Sequence, residues 1–166
     1  MHIICIAFDC FGTVFDMSGI DKAEIKAYVE HVNRSDFSPY KFPDSWYEIP
    51  LHPDAAEGVD RLQKAGYFCA TLSNATKELT ERVSARGGIH WDHVIDLAKC
   101  HVYKPHFDAY KTIRSLLRFE PEETLMVTAN PTFGDIEGAK AIGMQSQVIR
   151  HSYPNTIIEL AEMLQC

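Results

Sequence analysis

The sequence predicts an α/β fold: a parallel sheet covered by helices on both faces, with a small insert after the first strand. Two observations predict the core. Short apolar runs without polar alternation recur along the 166 residues, as strands covered on both faces require. Between them lie amphipathic stretches of helical period, the alternation that builds parallel sheets. A third observation, a break in that rhythm from residue 17 to 50, predicts the insert.

Strands are read at residues 3–8, 67–72, 93–96, 124–128 and 145–149, and helices at 53–65, 76–86, 107–117, 136–142 and 157–164. Glycines in KAGYF, RGG and AIGMQ stand where helices stop. The insert holds one helical pattern, 22–32, followed by NRSDFSPYKFPDSWYEIP, rich in Pro, Ser and aromatics. It follows the first strand and so lies over that strand's carboxyl end, where open α/β sheets bind ligands. It reads as a short cap-like lid or as an ordinary long connection. With 166 residues, the chain is expected to form one core domain, 1–166, with 17–50 inserted in it.

A net charge of -7 without a Lys/Arg cluster argues against a nucleic-acid or anionic-membrane partner. No apolar run approaches the roughly 20 residues of a membrane span. The opening HIICIAFD, free of Lys and Arg, reads as a strand rather than a leader. Cys5, Cys10, Cys69, Cys100 and Cys166 show neither paired nor zinc-like spacing. They read as small core residues of a cytoplasmic protein.

Polar residues gather where strands end. The first strand runs into Asp9, the second into Ser73 and Asn74, the fourth into Thr128, Ala129 and Asn130, and YKPHFDAY places Lys104 before Pro105. Parallel strands bring such residues to one edge. Asp9 is either a turn cap or a fixed, dry nucleophile; Gly12 permits the sharp turn after it, and Thr13 can donate to its carboxylate. Lys104 is either a solvated lysine or the cation that keeps Asp9 ionised. Ser73 and Asn74 either cap the next helix or donate to a bound anion. Asp135 is an N-cap or positions water or a cation.

Together these stretches resemble the haloacid dehalogenase superfamily. FDCFGTVFD, TLSN, VYKPHFDAY and MVTANPTFGDIEGAKAIGM are similar to its four motifs, nearest those of the 2-haloacid dehalogenase branch, and the likeness covers 4–15 and roughly 50–149. The resemblance implies a Rossmann-like three-layer α/β/α core, in which Asp9 attacks C2 of a 2-haloacid to form an ester that water opens to a 2-hydroxy acid. Thr13 and Lys104 would hold Asp9; Ser73 and Asn74 would hold the substrate carboxylate. Thr128, Asn130 and Asp135 match positions that order the carboxylate, the lysine and the water. Tyr110 matches a tyrosine of the third motif, or is simply a buried aromatic. Phosphatases of the superfamily carry a second acid two residues after the nucleophile and use Mg²⁺. Phe11 stands there instead, which favours dehalogenation, since a halide leaves without a proton. No cofactor is then expected. The alternatives are a Mg²⁺-dependent phosphatase, with Asp9 and Asp135 on the metal, and a catalytically silent relative. Two departures stand out. The dehalogenase cap is larger than 17–50 and supplies an arginine for the halide; Arg34, the one arginine before Arg61, is its sole local counterpart or a surface residue. Asn130 and Asp135 are five apart, two more than in those dehalogenases, so NPTFG displaces Asp135 or enlarges the loop. A reduced lid also makes a homodimer and a larger substrate admissible.

Overall fold

The computed structural model describes residues 2–34 and 36–165. Five strands form one parallel sheet: β1 (Cys5–Phe8), β2 (Phe68–Thr71), β3 (His93–Val94), β4 (Thr124–Thr128) and β5 (Gln145–Val148), in the order β3-β2-β1-β4-β5. Helices α2 (Ala55–Lys64), α3 (Lys77–Arg86), α4 (Phe107–Leu117), α5 (Asp135–Ile142) and α6 (Ile157–Gln165) connect or flank them, and α1 (Lys22–Asn33) lies in the insert.

β1 is buried along its whole length, and its alternation divides the core. Ile6 and Phe8 pack with Val59 and Leu62 of α2, Leu79 of α3 and Leu160 of α6. Cys5 and Ala7, small enough for close helix approach, face Ala109 and Ile113 of α4 and Ala139 of α5. Strand order reverses at β1, with β2 on one side and β4 on the other. That reversal opens a crevice at the strands' carboxyl ends.

The helices stop where the sequence places its glycines: α2 ends two residues before Gly66, α3 caps on Gly87 and α5 on Gly143. Two strands depart from expectation. Only His93–Val94 of 93–96 pairs with β2, although Ile95 and Leu97 beyond it remain buried. β5 is a partly exposed edge strand, not a fully covered one, as its sequence QSQV shows; with one neighbour it tolerates polar side chains. Cys5, Cys10 and Cys69 are core residues and Cys100 is half-buried, all free thiols. Burial, foremost, pushes the Cys5 thiol up to about 12. Cys166 lies outside the described residues. No helix among the described residues is long and apolar enough to cross a membrane.

A cluster behind the first loop ties the end of the sheet to its centre. His151 stacks on His52 with ring centroids 3.5 Å apart. Its Nε2 lies 2.9 Å from the Gly12 carbonyl and its Nδ1 3.0 Å from Asp54 Oδ1. Asp54 Oδ2 accepts from the Ile157 amide at 2.8 Å. Both partners of His151 are acceptors, so only the imidazolium satisfies them together. Burial alone would lower His151, but Asp54 and the Gly12 carbonyl outweigh it and raise it above the ordinary value. Burial and the His151 charge lower His52. Burial pushes Asp54 up, yet His151 and the Ile157 amide leave it below the usual range. Asp16 adds its charge from the first loop. Because His151 is raised in the folded state, its stabilisation is complete below the unfolded value of about 6.5 and is lost as pH rises through the higher folded value. Asp54 stays ionised throughout that range. Melting temperatures of wild type and His151→Gln should therefore differ most near pH 6 and converge toward pH 9; a gap independent of pH would contradict the imidazolium.

Candidate active site

The loop after β1 is folded by its own backbone. The Cys10 carbonyl accepts from the amides of Thr13, Val14 and Phe15 at 3.1, 3.0 and 2.9 Å. Gly12 sits at φ 83°, in the left-handed region, and a Cβ there would lie 3.2 Å from Asn130 Nδ2. The turn brings the Thr13 hydroxyl back to Asp9 Oδ2 at 2.9 Å, while Thr13 Oγ1 accepts from the Ala129 amide at 2.8 Å. The β1 loop is thereby sewn to the end of β4.

Asp9 is 8% exposed, and its two oxygens differ. Oδ2 receives Thr13, Asn130 Nδ2 at 2.9 Å and, more weakly, the Thr128 hydroxyl at 3.4 Å. Among the described residues, Oδ1 receives only Lys104 Nζ, at 3.0 Å. Lys104 Nζ also lies 3.1 Å from Asp135 Oδ1, and Asp135 Oδ1 accepts from the Tyr110 hydroxyl at 2.8 Å. The side chains of Lys104 and Asp135 are 9% and 2% exposed. One buried ammonium thus joins two buried carboxylates. Burial alone would lower Lys104, but Asp9 and Asp135 overcome it and raise it. Burial, foremost, pushes Asp135 up; Lys104 opposes this and the like charge of Asp9 adds to it. Burial and Asp135 likewise raise the Tyr110 phenol, so it stays a neutral donor. Tyr110 reaches Asp135 because Gly138 leaves room: a Cβ there would stand 2.2 Å from Tyr110 Cε2.

Several sequence expectations are revised. Asn74 does not cap α3; Thr76 does, accepting from the Leu79 amide. The Asn74 amide instead clasps the backbone of Lys104, accepting from its N–H at 2.8 Å and donating to its carbonyl at 3.0 Å. Its side chain therefore holds the lysine in place. Ser73 Oγ accepts from the Ala75 amide at 3.1 Å, which leaves its own proton to donate. Asp135 is the first residue of α5, not its cap, which is Gly134. The NPTFG loop does not carry it away from Lys104, and Phe133 within that loop is 68% exposed. Arg34, at the end of α1, is exposed and is not among the residues lining the cavity described next.

These groups floor a cavity of about 260 Å³. Asp9, Ser73, Asn74, Lys104, Asn130 and Asp135 supply its polar side. Its other wall is apolar and comes largely from the insert: Met17, Ile25, Tyr28, Val29 and Trp46, with Phe11 beneath. Phe11 packs on Tyr28 and Trp46 with ring centroids 5.3 and 5.5 Å apart. Sequence reasoning singled out Phe11 but not the wall residues of the insert. Their signal was the i, i+3, i+4 spacing of Ile25, Tyr28 and Val29 on one helix face.

The family model for haloacid dehalogenase-like hydrolases matches residues 44–143, over half the chain. The chain belongs to that family. The haloacid dehalogenase-like chain is 28% identical over 110 residues to haloacetate dehalogenase H-2 of Moraxella sp. (strain B), covering 65% of this chain and 48% of that protein. It is 25% identical over 187 residues to (S)-2-haloacid dehalogenase of Xanthobacter autotrophicus, covering 85% and 72%. The chain thus spans about half the length of the first of these relatives. The solved L-2-haloacid dehalogenase of X. autotrophicus with chloropropionic acid covalently bound shares the fold, with a TM-score of 0.71 and 23% identity over 89% of this chain and 77% of that one.

Proposed function

We propose that this haloacid dehalogenase-like chain hydrolyses small 2-haloacids through an ester on Asp9. One observation carries the reading: a buried carboxylate, oriented by hydroxyl and amide donors and by an ammonium it shares with Asp135, opens onto an apolar-walled cavity where Phe11, not an acid, stands two residues after it. Oδ2 is saturated by its donors, so Oδ1, bonded only to Lys104, carries the attack. It forms a bond to C2 as the halide leaves with the bonding pair. Ser73 is the donor available for the substrate carboxylate. Water then attacks the Asp9 carbonyl carbon and releases the 2-hydroxy acid. Residues 17–50 act as a reduced cap on a single core domain, supported by the five insert residues lining the cavity. The free, unpaired thiols fit a cytoplasmic setting, and the net charge of -7 fits no nucleic-acid partner. A homodimer belongs to the same proposal, as a way of closing the site beside the exposed Phe133.

The phosphatase reading fits less well. Phe11 offers no acid for a leaving alkoxide. The donor set also fails a divalent cation: Asn130 Nδ2 bridges Asp9 Oδ2 and the Phe11 carbonyl at 2.9 and 2.8 Å. Both partners are acceptors, so the amide presents its NH₂ where a cation would need open oxygens. Lys104 occupies the space between Asp9 and Asp135 in the same way. The test is halide release from both enantiomers of 2-chloropropionate and 2-bromopropionate, with and without chelator. Release undiminished by chelator is expected. Phosphate-ester hydrolysis abolished by chelator, without halide release, would reject the reading.

A further inference from the structure

We propose that the Tyr28 hydroxyl binds the departing halide, in a site whose lid supplies no cation to do so. The inference rests on the dehalogenase reading and adds a residue to it. Tyr28 lines the cavity from α1 and is 7% exposed. Its ring is held by Phe11, Tyr40, Phe42 and Trp46 at centroid distances of 5.3, 5.5, 5.2 and 5.8 Å. Yet among the described residues its hydroxyl oxygen, fully shielded from solvent, has no hydrogen-bond partner. A buried polar atom left without a partner, on a side chain that lines the cavity, points to a partner that arrives with the ligand.

The geometry of displacement says which part of the ligand that is. Asp9 attacks C2 from the sheet side, so the carbon–halogen bond breaks on the far side of C2, toward the insert. The cationic and hydroxylic donors of the floor, Lys104 and Ser73, stand with Asp9 and face the substrate carboxylate. The insert's own cavity residues are Met17, Ile25, Tyr28, Val29 and Trp46. Of these, Trp46 already donates its indole N–H to Glu24 at 3.1 Å. The phenol is the donor left. No arginine or histidine lines the cavity among the described residues. Burial, foremost, raises the Tyr28 phenol well above its ordinary value, with Tyr103 and Asp9 adding to it, so it remains a neutral donor. It gives up no proton. The O–H stabilises charge as it develops on the halogen, and the halide departs as the free anion.

Tyr28→Phe keeps the ring and removes only the donor. In single turnover, ester formation from 2-chloropropionate should slow on the order of 10²-fold, the scale for losing one donor to developing charge. The loss should shrink from chloride to bromide to iodide, as the leaving anion accepts hydrogen bonds less strongly. KM and the hydrolysis of the ester should hardly change. An equal loss for all three halides, or a change in KM alone, overturns the assignment. A second arm needs no turnover. Sodium iodide should quench Trp46 fluorescence with a saturable component that Tyr28→Phe abolishes; purely collisional, linear quenching in both proteins overturns the assignment. Tyr28-dependent iodide binding without halide release from any haloacid supports the halide site and sinks the dehalogenase reading alone.

Discussion

Asp9→Asn should abolish halide release, by 10³-fold or more on the scale seen when a covalent nucleophile is removed, and leave the fold intact. The substitution preserves shape. It also takes one negative charge out of a buried set in which a single ammonium serves two carboxylates. Losing the Asp9–Lys104 pair is offset by a Lys104–Asp135 pair whose charges now balance, and Asp135 is relieved of the like charge that helps raise it. The melting temperature should stay within a few degrees of wild type, so lost activity cannot be blamed on unfolding. Heavy-oxygen water supplies the complementary measurement. In a single turnover, water attacking the ester leaves its oxygen in the Asp9 carboxylate, and mass analysis of the peptide containing Asp9 reads it. Turnover without label there would show that water attacks the substrate directly, and the ester mechanism would be abandoned.

The parts of this site that were legible in the sequence are those fixed by covalent neighbourhood. Asp9, Gly12 and Thr13 lie on one turn, and a glycine in FGT announces the φ 83° that folds Thr13 back onto Asp9. Lys104 and Asp135 were legible because parallel strands bring their following loops to one edge, whatever the loop lengths. The NPTFG loop leaves Phe133 exposed while Asp135 stays in the site, because Asp135 is anchored by Lys104 and Tyr110 at the start of α5. What was not legible depends on side chains choosing among partners. Asn74 is as good a cap as a clasp, and Thr76, two residues on, took the cap; nothing in LSN tells which. Nothing in the sequence around Tyr28 and Trp46 separates them from packing aromatics. Only the placement of α1 against the loop after β1 shows that the Tyr28 phenol has no partner among the described residues. Arg34 fails for a related reason: it ends α1, and its exposed position keeps it out of the cavity wall that Ile25, Tyr28 and Val29 form.

Lys104→Met should cost more stability than any other single change in the site. The methionine fills similar volume, but it leaves Asp9 and Asp135 buried together without a cation. Breaking a buried ion pair from one side costs about 3–5 kcal/mol, because the orphaned charge keeps its desolvation penalty. Here two carboxylates are orphaned, and the molecule's remedy is to bind a proton between them. That remedy sets the pH dependence. The folded protein then holds a shared proton that the unfolded chain gives up at neutral pH, so stability falls as pH rises. The variant should be markedly more stable near pH 5 than near pH 8, and adding Asp135→Asn should recover much of the loss at pH 8 by removing one of the two charges. A loss that is flat with pH and unrescued by Asp135→Asn would mean that Lys104 acts through packing alone. Lys104→Arg should not restore activity, because a planar guanidinium cannot replace a compact ammonium whose backbone is clasped on both sides by Asn74. Halide release should therefore fall by at least 10²-fold in both variants, the cost of a misplaced nucleophile, while only the methionine variant shows the acid-stabilised melting curve. That separation distinguishes the charge of Lys104, which the fold needs, from its shape, which the reaction needs.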